Sequence, residues 1–308
     1  MIPPRVLITG ANGLVGQALA RACASWPGAD VLATGRQPAA ARRHAGGYTP
    51  LDVLDADAVE HLLTDFAPDV VLHAAGSAQV EACEDDREGC WRLNVEATAS
   101  LAAACHRHGA RLVLPSTDFV FDGEAGPYAE DARPAPLGAY GRTKLAAENA
   151  LKASRLTRWA VARTTLVFGA PAEPARGDFV RWLVGELEAG RPVRVPSDQL
   201  RTPTYDADLA DGIVRIVRFG KDGVFNLAGR EVLTVEAFAH RVAGAFGLDE
   251  RLISPATTAD LHPGAPRPLR GGLLILRAES ELGYRPRPLD AALADVRARL
   301  DYVSQPPD

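Results

Sequence analysis

A tyrosine leads a lysine by four residues in Tyr140-Gly141-Arg142-Thr143-Lys144, downstream of a hydroxyl-bearing segment, Ser116-Thr117-Asp118-Phe119-Val120-Phe121-Asp122-Gly123. On a helix, positions i and i+4 share one face, so the phenol and the ammonium can reach a single small volume. A phenol titrates near ~10, and a neighbouring cation favours the phenolate and draws that value towards neutrality. Such a tyrosine can give a proton to a carbonyl oxygen, or take one from an alcohol, near pH 7. The chain holds only three lysines (Lys144, Lys152 and Lys221) beside 6 tyrosines. The pairing alone would also suit an ordinary surface helix, so its weight rests on the elements that position it.

Those elements begin at the N-terminus. Arg5-Val6-Leu7-Ile8-Thr9 is an apolar run of strand character that ends at Gly10-Ala11-Asn12-Gly13-Leu14-Val15-Gly16, and a helical pattern follows. Strand, glycine-rich turn and helix together form a dinucleotide-binding unit. Gly10 permits the tight turn, Gly13 lets the backbone approach a pyrophosphate, and Gly16 lets the helix pack against the strand. The spacing is Gly-x-x-Gly-x-x-Gly rather than the commoner Gly-x-Gly-x-x-Gly. A second strand, Asp30 to Thr34, ends in Gly35-Arg36, where an acidic residue would meet a free ribose 2′-hydroxyl. Arg36 suits a 2′-phosphate instead, which favours NADP over NAD.

A third strand over Tyr48 to Leu51 places Asp52 and Val53 to face an adenine. A helix follows from about Asp55 to Phe66. A fourth strand, Pro68 to His73, closes on Ala74-Ala75-Gly76, small enough for a flat cofactor to lie against the backbone. His73 has no evident partner in the sequence and is read as structural. A long helical stretch over about Val80 to His108, broken near Gly89, carries Asn94. The fifth strand, Arg111 to Pro115, delivers Ser116 and Thr117, and Arg158 to Arg163 reads as a sixth. Strands alternating with helices imply a doubly wound parallel sheet, α/β and Rossmann-like, with ligands at the carboxyl ends of the strands. Beyond it come a Pro- and Ala-rich loop over 170–177, helices near 179–189, 207–219, 235–246 and 289–303, and short strands near 191–195 and 223–227. This gives a dinucleotide-binding domain over residues 1–165. A smaller substrate-binding region over residues 166–308 partly returns to the same sheet.

Net charge of -5 and a pI near 5.8 argue against a nucleic-acid or anionic-membrane surface. The four cysteines (Cys23, Cys83, Cys90, Cys105) fall at no metal-ligand spacing. They are expected to be reduced, buried small hydrophobes, and no metal ligand is assigned. Met1-Ile2-Pro3-Pro4 leads straight into a strand with no signal-peptide pattern, and no apolar run has the length of a membrane span, so a cytoplasmic setting is expected.

With these residues laid out, the chain resembles the extended short-chain dehydrogenase/reductase family, and within it the dTDP-4-dehydrorhamnose reductases. The resemblance rests on the segment from Ser116 to Gly123, Pro127-Tyr128-Ala129-Glu130, and Tyr140 to Leu145. Asp198-Gln199, Pro203-Thr204 and Arg267-Pro268 add to it. It implies NADPH-dependent reduction of the C4 carbonyl of a nucleotide-linked 4-keto-6-deoxy sugar. Thr117 would bond the carbonyl, Tyr140 would donate the proton, and Lys144 would hold the nicotinamide ribose and depress the Tyr140 pKa. Asn94 would bridge helix backbone and relay water. Asp118, Phe119 and Leu166 would line the sugar, although Leu166 stands where these reductases carry an aromatic residue. His73 likewise replaces an asparagine. A homodimer is the candidate assembly. Two alternatives share the sequence features. One is a nucleotide-sugar epimerase or dehydratase of the same fold, which Arg36 disfavours. The other is a non-catalytic NADP-binding subunit like the regulatory subunit of methionine adenosyltransferase.

Overall fold

Short β-branched and leucine-rich runs, each followed by an amphipathic stretch, can bury both faces of a parallel sheet only by laying helices on either side of it. The structure, a computed structural model, describes residues 4–37, 47–172 and 178–304, with side chains to Leu300. Residues 1–3 and most of the loop expected over 170–177 lie outside it. In chain order the strands are β1 (Arg5–Thr9), β2 (Asp30–Gly35), β3 (Tyr48–Pro50), β4 (Val70–His73), β5 (Arg111–Thr117) and β6 (Trp159–Thr164). They join Gly223–Asn226 in a seven-stranded sheet ordered Gly223–Asn226, β6, β5, β4, β1, β2, β3. Every pairing in it is parallel. The order reverses between β1 and β4, and the crevice opens there.

The first helices are α1 (Leu14–Ala24), α2 (Ala56–Phe66), α3 (Val80–Asp85), α4 (Arg87–Trp91), α5 (Ala97–His108) and α6 (Ala139–Ala153). One apolar layer sets α1 and the helix Asp206–Arg218 against Val6, Ile8, Val70, Leu72 and Val113. The opposite layer sets α2, α5 and α6 against Leu7, Val71, Leu112 and Leu114. A third cluster, from Phe168 to Val296, forms a separate core for the C-terminal region. A small fourth one gathers Val80, Cys83, Cys90, Ala139, Tyr140 and Ala265. Among the described residues, no helix is long and apolar enough to cross a membrane.

The stretch from Val80 to His108 departs from its expected form. The break falls at Asp86, whose carboxylate accepts the Gly89 N–H at 2.8 Å and caps α4. Gly89 lies inside that helix, where a Cβ would stand 2.1 Å from Asp86 Oδ2. Gly89 therefore permits the cap that breaks the helix three residues earlier. A π-helical turn, Arg92–Glu96, then carries Asn94 into α5; such turns are rare and concentrate at functional sites.

Cysteine chemistry also differs from expectation. Cys83 and Cys90 are joined as a disulfide with Cα atoms 5.2 Å apart, a separation suited to the bond. Only the folding of α3 against α4 brings them together, and no spacing rule in the sequence marks the pair. Cys23 and Cys105 are free, and burial pushes both thiols up to about 12. Thiol titration of the denatured, unreduced protein should find these two and not four; a count of four would show the pair to be reduced.

Candidate active site

β5 delivers Thr117 as its last residue. Its hydroxyl accepts the Phe119 N–H at 3.2 Å and so caps the 3₁₀ turn Asp118–Val120. That turn lies hard against α6: a Cβ on Gly141 would meet the Phe119 carbonyl oxygen at 2.2 Å. The close approach sets the Phe119 ring edge-on to Tyr140, with centroids 5.5 Å apart, and brings the Thr117 hydroxyl, which donates to Asp118 Oδ1 at 3.4 Å, near enough to the phenol to act on its titration. Glu84 on α3 fixes the start of α6 by accepting the Ala139 N–H at 2.6 Å. Tyr140 and Lys144 share the sheet-facing stripe of α6, as the four-residue spacing requires.

The electrostatics correct one expectation. Tyr140 is pushed up to about 12, first by burial and then by the nearby Asp118 carboxylate, while the Thr117 hydroxyl acts the other way. Lys144 does not depress it. The Lys144 ammonium donates to the Pro115 carbonyl at 2.8 Å, so the shared helix face leads it to the β5 backbone rather than to the phenol. Burial lowers Lys144 to about 8, against the raising effect of Glu148. At neutral pH the phenol is therefore protonated and can act chemically as a proton donor rather than as a phenolate base.

Asn94 is buried behind this pair. Its amide nitrogen donates to the Ser77 carbonyl at 3.1 Å and the Thr143 hydroxyl at 3.0 Å, and its Oδ1 accepts the Ser77 N–H at 2.8 Å. It thus ties the loop after β4 to α6 one residue before Lys144. His73, read from the sequence as structural, pairs with Thr9 through its Nδ1 at 2.7 Å.

Of the residues expected to hold a cofactor, Gly10, Gly16 and Ala74–Ala75 meet at the β1–β4 crevice. Gly10 has φ +69°, and a Cβ there would lie 2.4 Å from the Ala75 nitrogen and 2.5 Å from the Ala74 carbonyl carbon, so β1 and Ala74–Gly76 close together only around a glycine. A Cβ on Gly16 would be 2.1 Å from the Gly10 oxygen. Gly13 is different. Its φ of −78° is open to any residue, and a Cβ would meet nothing nearer than 3.5 Å. The protein itself has no steric need for glycine there, and α1 starts on Gly13 with no side chain capping it. Leu14 and Val15 form its first turn. A pyrophosphate fits that uncapped end. Asn12 donates to the Tyr48 hydroxyl at 3.1 Å, holding β1 to β3, and Arg36 is exposed just beyond β2. Asp52 is exposed and accepts the Leu54 N–H at 3.0 Å, while Val53 is buried in the α2 layer.

On the substrate side, Leu166 takes φ +39° between β6 and Val167–Phe168. A branched residue there is strained, and such strain concentrates at functional sites. Asp118 is engaged within the protein. Its Oδ2 accepts from the Thr165 hydroxyl at 2.8 Å and the Gly272 N–H at 3.2 Å, with Arg201 Nε at 3.6 Å. Two surface cavities, of about 990 and 440 Å3, lie away from the Thr117–Tyr140 pair and contain none of its residues.

Sequence reasoning missed the buried charges beneath the site. Glu148 is fully buried and takes the Ser116 hydroxyl at 2.7 Å and Arg163 through Nε at 3.0 Å and Nη2 at 2.7 Å. Burial pushes Glu148 up, and Arg163 and Ser116 outweigh it, leaving the carboxyl below its ordinary value. The signal was present: Glu148 continues the Tyr140–Lys144 stripe by another four residues, and a charge on a buried stripe needs a partner.

The chain is similar along nearly its whole length to proteins already described. The probable low-salt glycan biosynthesis reductase Agl14 of Haloferax volcanii is 32% identical over 305 residues, 96% of this chain and 99% of the relative. Methionine adenosyltransferase 2 subunit beta of Rattus norvegicus is 32% identical over 282 residues, 90% of this chain and 82% of the relative. The crystal structure of a dTDP-4-dehydrorhamnose reductase from Clostridium acetobutylicum superposes with a TM-score of 0.83 at 28% identity, covering 96% of this chain and 99% of that one. Residues 4–302 match the RmlD substrate binding domain family, and the chain belongs to that family.

Proposed function

We propose that the protein reduces the C4 keto group of a nucleotide-linked 4-keto-6-deoxy sugar with NADPH, dTDP-4-dehydro-L-rhamnose being the substrate and dTDP-L-rhamnose the product. The observation that carries this reading is the Tyr140 phenol, kept protonated by burial, close to the Thr117 hydroxyl at the end of β5. Residues 1–165 hold the cofactor and residues 166–308 the sugar.

NADPH supplies the hydride when bound. Gly10, Gly13 and the first turn of α1 receive its pyrophosphate, Arg36 its 2′-phosphate, and Asp52 and Val53 its adenine. Ala74–Gly76, positioned by Asn94, lie along its nicotinamide half, and Lys144 holds the ribose there. Thr117 donates a hydrogen bond to the sugar carbonyl. Tyr140 gives its proton to the oxygen as negative charge develops on it, when a donor is worth most. Phe119 and Leu166 shape the sugar pocket. Asp118 acts from behind by fixing the turn that carries Thr117.

The test is NADPH oxidation, followed by absorbance, with the keto sugar made in a coupled synthesis and NADH run in parallel. Net oxidation with NADPH preferred is the expected result. The similarity to methionine adenosyltransferase 2 subunit beta favours a second reading, a non-catalytic NADP-binding subunit. Tight NADPH binding with no oxidation would support that reading against the first. Arg36→Ala should lower kcat/KM with NADPH by about 10- to 100-fold, the range of a lost charge-assisted hydrogen bond, and leave NADH nearly unchanged. An equal loss with both cofactors would remove Arg36 from phosphate recognition.

A further inference from the structure

His73 ends β4 and pairs in register with Thr9 of β1. Side chains alternate along a strand, so His73 faces the same way as Val71, and Thr9 the same way as Leu7. Both Val71 and Leu7 pack in the layer that holds Ala147 and Leu151 of α6. The imidazole therefore enters the layer where Lys144 lies. Its neighbour across the sheet is β5, with Leu72 opposite Val113, two residues before the carbonyl that takes the Lys144 ammonium. Burial, and after it the charge of Lys144, drives the imidazole down to about 3. The ring is neutral at working pH.

A neutral imidazole has one donor and one acceptor nitrogen. Nδ1 is satisfied by Thr9, whereas Nε2 is buried with no hydrogen-bond partner among the described residues. Thr9 Oγ1 also receives the Ala75 N–H at 3.4 Å, and the Lys144 charge acting on the ring favours the tautomer in which Nδ1 is the donor to Thr9 and Nε2 is left as an acceptor. Lys144 has three N–H donors, one of them on Pro115.

We propose that His73 is a positioning residue for Lys144, its Nε2 acting through one buried water as a second acceptor for the ammonium beside the Pro115 carbonyl. This stabilises the charged form of Lys144 without placing a second charge beside it. The charged group acting on Lys144 is Glu148 on its own helix, with Tyr140 one turn before it and Arg163 of β6 reaching it only through Glu148. Arg163 is spent on Glu148. The proposal deepens the reductase reading and rests on it only for the effect on turnover.

The chain has just three lysines, so protein labelled with 13C at lysine Cε gives three side-chain signals, and Lys144→Met assigns one of them. In the wild type the Lys144 midpoint is expected near about 8. Loss of an acceptor disfavours the ammonium, so His73→Leu should move that midpoint down by about one pH unit, while His73→Gln, which keeps an acceptor oxygen, should restore most of it. His73→Phe keeps the ring volume and is read instead should the leucine variant fail to fold. An unmoved Lys144 midpoint in a folded variant, or equal shifts with Leu and Gln, would overturn the proposal. The midpoint is independent of turnover. A shift in a protein that oxidises no NADPH would keep this inference and sink the reductase reading, and turnover without a shift would do the reverse.

Discussion

Tyr140→Phe should lower turnover by about a thousandfold, within the range by which positioned proton donors accelerate reactions, and leave NADPH affinity within about twofold. The phenol is buried between Phe119 and Thr117 and bears no structural ion pair, so removing one oxygen takes the proton and little else. Thr117→Ala separates the two roles further: it keeps the phenol but removes the neighbouring hydroxyl proposed to bond the carbonyl. Wild-type turnover in the Tyr140→Phe protein would show that another group protonates the sugar. The pH dependence follows from the same groups. Tyr140, raised to about 12, stays protonated through the physiological range. Lys144, lowered to about 8, loses its charge as pH rises through that value. Activity should therefore fall above about pH 8 while the proton donor is still intact, and the kcat/KM profile checks this.

Arg163→Met should destabilise the fold by about 3–5 kcal/mol, the usual result of stripping one partner from a buried pair. Glu148 would be left buried with only the Ser116 hydroxyl and the longer Lys152 contact at 3.5 Å in place of its two-point partner, and the Arg163 guanidinium would no longer cover the Phe121 ring at 5.2 Å. Urea unfolding measures the loss. The double variant Arg163→Met, Glu148→Leu should recover much of it, because no charge is then orphaned. The pH sign is fixed by the lowered Glu148 pKa. The pair's contribution is complete above the unfolded value near ~4.5 and fades as pH falls below it, so the gap between wild type and Arg163→Met should narrow in acid. A single variant as stable as the wild type would mean that Glu148 is solvated or neutral.

Much of this architecture could be read from the chain because its signals are local. The runs at Arg5–Thr9 and Arg111–Thr117 are apolar and bounded by turn residues, and the glycines that permit the β1–β4 crossing lie within seven positions of one another. The Tyr140–Lys144 pair needs only the helical repeat. What escaped depends on distance through the fold. The direction of the Tyr140 pKa is set by burial under Phe119 and by Asp118, not by the lysine four residues away. The Cys83–Cys90 bond requires two short helices to fold back at Asp86. The segment Pro127 to Glu130, useful as a mark of resemblance, is structural. Tyr128 stacks on Phe121 with centroids 4.2 Å apart, and Glu130 takes the Asn226 N–H at 3.0 Å. The second contact joins residues 96 positions apart, beyond any periodicity.

Asp118 carries a consequence for how the protein comes into being. Its carboxylate is filled by Thr165, 47 residues on, and by Gly272, 154 residues on. While the chain is being synthesised, β5 and α6 can take shape long before Gly272 has left the ribosome, yet the turn that aims Thr117 lacks its last anchor. The sheet can therefore form early, whereas the turn beside Thr117 is fixed only once the end of the chain has returned to it. A nascent or truncated chain can have the fold without a finished site, and competence is acquired as one of the last events of its birth.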